Sequence, residues 1–288
     1  MNQDYLIAGF RLRAEGDALA EAMTQLQGFK VFATPTQEGE EPLLHLTVSD
    51  RETPAFEKEL YKSEVDDVTS RFGRYPGGYC FETVHHANHQ RLQLWVKQGD
   101  NRFQLKGDLD PRLLRFTCWI AFGVGIVRHR AVPVHTSAIV YRNHAVLFLG
   151  ESGTGKSTHT RLWRENIDGA KLLNDDSPIV RIHDDGMPYV YGSPWSGKTP
   201  CYKTEHYPLA ACVRLSQAPY NKIERLGIAR AYAALHPSCP PDFAYDERLY
   251  DDISHVLNGI LSHVPVYHLA CLPNADAARL SCETIFGL

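Results

Sequence analysis

Eight residues, Gly150-Glu151-Ser152-Gly153-Thr154-Gly155-Lys156-Ser157, follow directly on the apolar run Ala145-Val146-Leu147-Phe148-Leu149 and lead into a helix-compatible stretch over residues 156–164. A buried strand that ends in a glycine-rich turn and restarts as a helix calls for an α/β layer structure. In the pattern G-x-x-x-x-G-K-S, the glycines let consecutive backbone N–H groups point inward around phosphate oxygens, which side chains would obstruct. Lys156 is placed to reach the outer phosphates, and the Ser157 hydroxyl to ligate a divalent metal at a helix N-terminus whose dipole already favours anions. Thr158 adds a second hydroxyl in the same turn. Gly150, Ser152, Gly153, Thr154, Gly155, Lys156, Ser157 and Thr158 are therefore the expected binding set for the triphosphate of ATP, with magnesium as the metal.

An anion site of this kind has to be local, because the chain as a whole carries a formal charge of -4. That balance offers no general attraction to nucleic acid or to an anionic membrane surface, so neither is an expected partner. No apolar run approaches the roughly 20 residues needed to cross a bilayer, and Met1-Asn2-Gln3-Asp4 lacks the basic and apolar stretches of a secretory signal, so a cytoplasmic location is expected. The seven cysteines are scattered without C-x-x-C pairs, which predicts reduced thiols rather than a disulfide framework or a zinc site.

At 288 residues the chain has room for two domains. An α+β accessory domain is expected over residues 1–128 and the nucleotide-binding α/β domain, with a mixed sheet, over 129–288. In the first part, alternation over 5–13 predicts a strand and helical spacing predicts a helix over 17–27; strands follow at 30–33, 43–48, 79–84, 91–96 and 102–106. The charged stretch 51–76 is expected as loop or exposed helix. Asp110 before Pro111 signals a capped, buried helix ending near residue 129. In the second part, strands are expected at 134–141, 145–149, 171–173, 179–182, 189–191, 209–215 and 264–269. Helices are expected over 247–262 and after Asn274.

Nineteen positions beyond Lys156 comes Asn174-Asp175-Asp176, at the end of the strand that returns after the helix. A metal held by a serine hydroxyl and phosphate oxygens needs a hard carboxylate ligand, and a hydroxyl acceptor needs a base for its proton; two adjacent aspartates can divide those tasks. The loop Gly192-Ser193-Pro194-Trp195-Ser196-Gly197-Lys198 brings a further cation, Lys198, suited to spreading charge on a transferring phosphoryl group. Lys203, His206 and Arg214 are weighed as the lining of an acceptor pocket. His85-His86-x-x-His89 is a weak metal candidate, since adjacent residues of a strand point to opposite faces.

Together, Val134-His135-Thr136-Ser137-Ala138, the glycine loop, Leu173-Asn174-Asp175-Asp176 and the Gly192–Lys198 loop resemble the HPr kinase and phosphoenolpyruvate carboxykinase superfamily, and most of all its small bacterial HPr-kinase-like members. The resemblance covers about the second half of the chain. It implies a kinase core in which Asp175 is the catalytic base and Asp176 the metal ligand, or the reverse, and it brings His135 close to the active site with Lys156 and Lys198. The glycine-rich stretch that follows the acidic pair in HPr kinases has no counterpart here. The expected acceptor is accordingly a serine or threonine hydroxyl of some other peptide or protein, with a small metabolite as the alternative acceptor. A nucleotide-binding regulator or assembly partner that transfers nothing is the alternative from another class, and homo-oligomer formation is left open.

Overall fold

The computed structural model describes residues 1–37, 39–197, 199–244 and 246–287. They form a mixed α/β structure with two large mixed sheets, divided between two compact units. The first unit comprises Met1–His129 and Pro241–Asp251, the second Arg130–Pro240 and Asp252–Leu288.

In the first unit the strands are β1 (Asn2–Ile7), β2 (Phe10–Glu15), β3 (Ala33–Thr34), β4 (Leu44–Val48), β5 (Lys58–Val65), β6 (Val68–Tyr75), β7 (Gly78–His85), β8 (Arg91–Lys97) and β9 (Arg102–Gly107). Helices α1 (Asp17–Thr24), α2 (Gln27–Lys30) and α3 (Pro111–Ile126) accompany them. The sheet order is β3-β1-β2-β4-β9-β8-β7-β6-β5, antiparallel except for β2/β4 and β4/β9. Three expectations fail here. In place of the strand expected at 30–33, Lys30 ends α2, a turn follows, and β3 begins only at Ala33. The strand foreseen at 5–13 is a hairpin, reversed by Ala8 and Gly9 at φ 52° and 79°. The supposed loop or helix at 51–76 contains the hairpin β5–β6, turned by Asp66 and Asp67 at φ 47° and 62°. Helix α3 starts as expected, with the Asp110 carboxylate accepting from the backbone N–H of Arg112 at 2.9 Å. A short helix, α6 (Pro241–Ala244), returns to this unit late in the chain; its Phe243 is fully buried, with Phe72 and Trp119 each 6.3 Å away.

The second unit contains β10 (Ala131–Pro133), β11 (Thr136–Tyr141), β12 (His144–Leu149), α4 (Lys156–Asn166), β13 (Lys171–Asp176), β14 (Ile179–Ile182), β15 (Pro188–Tyr191), β16 (His206–Gln217), β17 (Lys222–Arg225), α5 (Ile228–Leu235), β18 (Val266–Cys271) and α8 (Ala275–Phe286). Helix α7 (Glu247–His263) lies in the second unit from Asp252 onward. The sheet runs β10-β14-β15-β16-β12-β11-β13, with β18 also on β16 and β17 on β18. β16 is the hinge of this pattern: its first residues pair antiparallel with β15, its later ones parallel with both β12 and β18.

Strand β11 lies antiparallel between β12 and β13, so those two strands run in the same direction and end at the same edge. Open α/β sheets bind ligands at such carboxyl ends. Helices α4 and α8 cover a core of Ile139, Val146, Phe148, Leu162, Trp163, Val213, Leu269 and Ala278. Trp163 is fully buried, and its indole N–H donates to Ser281 Oγ at 2.9 Å, joining the two helices. Among the described residues no helix is long and apolar enough to cross a membrane.

Candidate functional site

The loop after β12 depends on glycine. Gly150 has φ 152°, and a Cβ there would come within 2.4 Å of Thr154 Oγ1. Gly155, at φ 103°, precedes the first residue of α4 and leaves that end of the helix without a side-chain cap. The first N–H groups of a helix have no partners within it, so this end is free to bind an anion. Thr154 closes the turn through its hydroxyl on the Glu151 carbonyl at 2.8 Å.

The Lys156 ammonium donates to the carbonyls of Gly150 at 2.6 Å and Glu151 at 3.2 Å, and lies 3.2 Å from His135 Nε2. Burial lowers its pKa, against the opposing pull of Asp176, Asp175 and Glu151. A charged lysine with only carbonyls and one imidazole as direct partners is under-compensated, which favours an incoming anion.

At the end of β13 the two aspartates have different surroundings. Ser137 faces Asp175 across the β11/β13 pairing, and its hydroxyl donates to Asp175 Oδ1. The Ser157 hydroxyl donates to the same oxygen at 3.1 Å. Asp175 is buried, whereas the Asp176 side chain is 37% exposed and meets His135 Nδ1 at 3.2 Å. An ammonium can only donate, so the Lys156 contact calls for a lone pair on Nε2 and puts the imidazole proton on Nδ1, toward Asp176. Asp176 also has φ 145°, a backbone conformation rarely adopted by side chains other than glycine and a sign of strain concentrated at the site.

The loop from Gly192 is tied to the same strand. Buried Asn174 donates to the carbonyl of Trp195 at 3.0 Å and to Ser193 Oγ at 3.3 Å, and accepts from the Ser177 N–H at 2.9 Å. The Gly197 N–H donates to the Asp175 carbonyl at 2.5 Å, and a Cβ on Gly197 would come within 3.3 Å of that of Asp176. Lys198 itself lies outside the described residues.

A cleft of ≈ 360 Å³ joins these parts: His135, Ser137, Ser152, Lys156, Ser157, Asp175, Asp176 and Gly197 line it. A second cavity of ≈ 570 Å³, bounded by Leu162, Leu215, Gln217, Cys271, Leu272 and Pro273, shares Gly153, Gly155 and Thr158 with the first. The sequence reading missed this apolar cavity. Apart from Leu162 of α4, its residues come from the ends of β16, the parallel neighbour of the loop strand, and of β18 on the far side of β16, with the segments that follow them, and only the sheet order could have drawn them together. Gln217 Nε2 also donates to the Gly153 carbonyl at 3.2 Å.

Lys203, His206 and Arg214 are not brought into either cavity. His206 stacks on Tyr191, with ring centroids 4.6 Å apart, and the Lys203 carbonyl backs onto Gly192. Arg214 instead pairs with Glu151 of the glycine loop at 3.1 Å. His85 is buried and His86 exposed, and among the described residues no cluster of His, Cys, Asp and Glu could hold a metal on its own. No family model matches the chain, and no curated protein is significantly similar to it.

Proposed function

We propose that the second unit is an ATP- and magnesium-dependent kinase that transfers a phosphoryl group to a hydroxyl, most simply a serine or threonine of a peptide or protein. The observation that carries this reading is the division between the two aspartates: Asp175 buried on the hydroxyl of Ser157, Asp176 open to the cleft beside His135. A nucleotide switch needs the first carboxylate but has no use for the second. The resemblance to HPr-kinase-like proteins supports the same reading, and the α/β fold is compatible with it.

Ser157 and Asp175 are two hard oxygen ligands on one side of the loop, and magnesium commonly takes only one or two protein ligands beside phosphate oxygens and water. They would hold the metal, which supplies neutralisation of phosphate charge when bound. The geometry thereby favours Asp175 for the metal and Asp176 for the base, the reverse of the first of the two assignments implied by the resemblance. Asp176 takes the acceptor's hydroxyl proton while the acceptor oxygen bonds to the terminal phosphorus; the bond from phosphorus to the bridging oxygen breaks, and ADP leaves with that electron pair. His135, donating from Nδ1, orients the Asp176 carboxylate. Lys156 exchanges its carbonyl partners for phosphate oxygens. The apolar cavity beside Thr158 accommodates the nucleoside.

The test is transfer of label from γ-labelled ATP, with magnesium, to serine- and threonine-containing peptide libraries and to a small-molecule extract. An acid-stable phosphoester is the expected product. A protein that binds ATP yet labels nothing in either pool would sink the proposal.

A further inference from the structure

Arg214 and Glu151 form a contact outside the phosphoryl-transfer scheme. Glu151 is the second residue of the glycine loop, where a negative charge opposes phosphate binding. Its carboxylate is well exposed and reaches Arg214 Nη2 at 3.1 Å. Arg214 stands beside Leu149, the last strand residue before the loop, in the β12/β16 register. Its other terminal nitrogen, Nη1, lies 3.4 Å from the Ala234 carbonyl. The Glu151 carbonyl meanwhile accepts from Lys156, so one loop residue touches both cations through different atoms. Arg214 is close enough for its charge to work against that of Lys156, which burial already disfavours.

We infer that Arg214 is a sensor of the terminal phosphate, held on Glu151 when no triphosphate is bound and passed to the γ-phosphate when one arrives. This rests on the reading of the loop as an ATP site. An exposed arginine–carboxylate pair is worth little, whereas an arginine–phosphate pair is stronger and can be bidentate, so a guanidinium that swings from Glu151 toward the loop gains by the exchange. The second nitrogen's hold on Ala234 keeps the guanidinium near the loop during the exchange. Glu151 then acts as a competitor that a diphosphate cannot displace. Because the contact lies on the loop itself, discrimination between ATP and ADP comes before any acceptor is bound.

The experiment measures the affinities of Glu151→Gln, Arg214→Lys and Arg214→Ala proteins for ATP and for ADP by calorimetry, with magnesium present. Arg214→Ala is expected to weaken ATP binding by about tenfold or more while moving ADP by less than about threefold. Glu151→Gln, which frees the arginine, is expected to tighten ATP by about two- to fivefold with ADP unchanged. Arg214→Lys keeps a point charge but not the fork and should fall between wild type and Arg214→Ala. If Arg214 merely braces the loop, Glu151→Gln and Arg214→Ala will instead shift ATP and ADP alike and in the same direction, and the inference falls. Should Arg214→Ala fail to fold, the sign of the Glu151→Gln effect on ATP alone decides. These binding ratios do not depend on turnover: selective effects on ATP without any transfer would keep the sensor and overturn the kinase, and transfer without selectivity would do the reverse.

Discussion

Asp175 and Asp176 are neighbours in the chain, yet their environments assign them different work, and this can be separated experimentally. Asp175→Asn leaves Ser137 and Ser157 facing an amide that cannot neutralise a cation, so magnesium-dependent ATP affinity should fall about tenfold or more. Asp176→Asn removes a proton acceptor that is open to the cleft, so ATP affinity should stay within about twofold while turnover falls on the order of 10²–10⁴-fold. Calorimetry with ATP and magnesium, set beside initial rates of labelling, checks both; loss of ATP binding in Asp176→Asn alone would restore the opposite assignment. Much of this site was legible in the residues themselves, because the glycine loop, the acidic pair and His135 each occupy positions that strand direction carries to one edge. Which aspartate met Ser157 was not legible, since adjacent residues at a strand end differ only in the face they take. Arg214 was expected in an acceptor pocket rather than on Glu151, and Gln217, about 60 positions downstream of the loop it touches, had no local pattern to mark it.

Between the residue and the domain, the element that matters most is β13 with the loop it anchors. Asn174 holds that loop from inside the fold, bonding to Ser193 Oγ, the Trp195 carbonyl and the Ser177 N–H, all buried. Asn174→Ala removes these ties between β13 and the loop, leaving Ser193 Oγ and the Trp195 carbonyl to hold each other, at about 0.5–1.5 kcal/mol for each bond lost. Denaturant unfolding should register a loss of roughly 2–4 kcal/mol. Labelling should also slow far more than ATP binding weakens, because the loop borders Asp176 and makes no bond to Lys156 or Ser157 among the described residues. If binding and turnover decline together, the loop supports the whole fold rather than the acidic pair. Elements with a buried face, such as β12, α4 and the Asp110-capped α3, announced themselves through apolar spacing and caps. The β5–β6 hairpin did not, since Lys58–Val65 has no buried residue to create an alternation, and Asp66-Asp67 is a turn in which both residues take left-handed conformations more typical of Asn-Gly.

At the scale of the whole chain, two buried titratable groups make opposite demands on acidity, one in each unit. His159 in α4 is pushed down by burial to about 4 from an ordinary 6.5. The unfolded chain therefore takes up that proton first as pH falls, and the second unit loses stability between pH 6.5 and 4, by up to about 3 kcal/mol. Asp242 in the returning segment is pushed up by burial to about 6 from 3.8. In that case the folded form holds the proton longer, so the stability it contributes is complete below pH 3.8 and is lost as pH rises through 6, again by up to about 3 kcal/mol. Asp4 and Asp246 work the other way: burial acts to raise them, but the hydrogen bonds from Arg13 and Arg74 prevail and hold them low, so their contributions fade only near or below their ordinary 3.8. The window between pH 4.5 and 6.5 is thus set chiefly by His159 and Asp242, with His183 of the second unit, also lowered by burial, acting in the same direction as His159. Against a total stability of about 5–15 kcal/mol these terms are large enough to see. Hydrogen exchange, resolved by peptide and corrected for the intrinsic pH dependence, should show protection in β12 and α4 falling on acidification across that window while protection in β7 and α3 holds or rises. His159→Gln should flatten the first trend, and Asp242→Asn should raise protection in the first unit at pH 7.5. A common loss of protection in both units on acidification, unaltered by either substitution, would mean that neither buried group sets the acid response of its own unit.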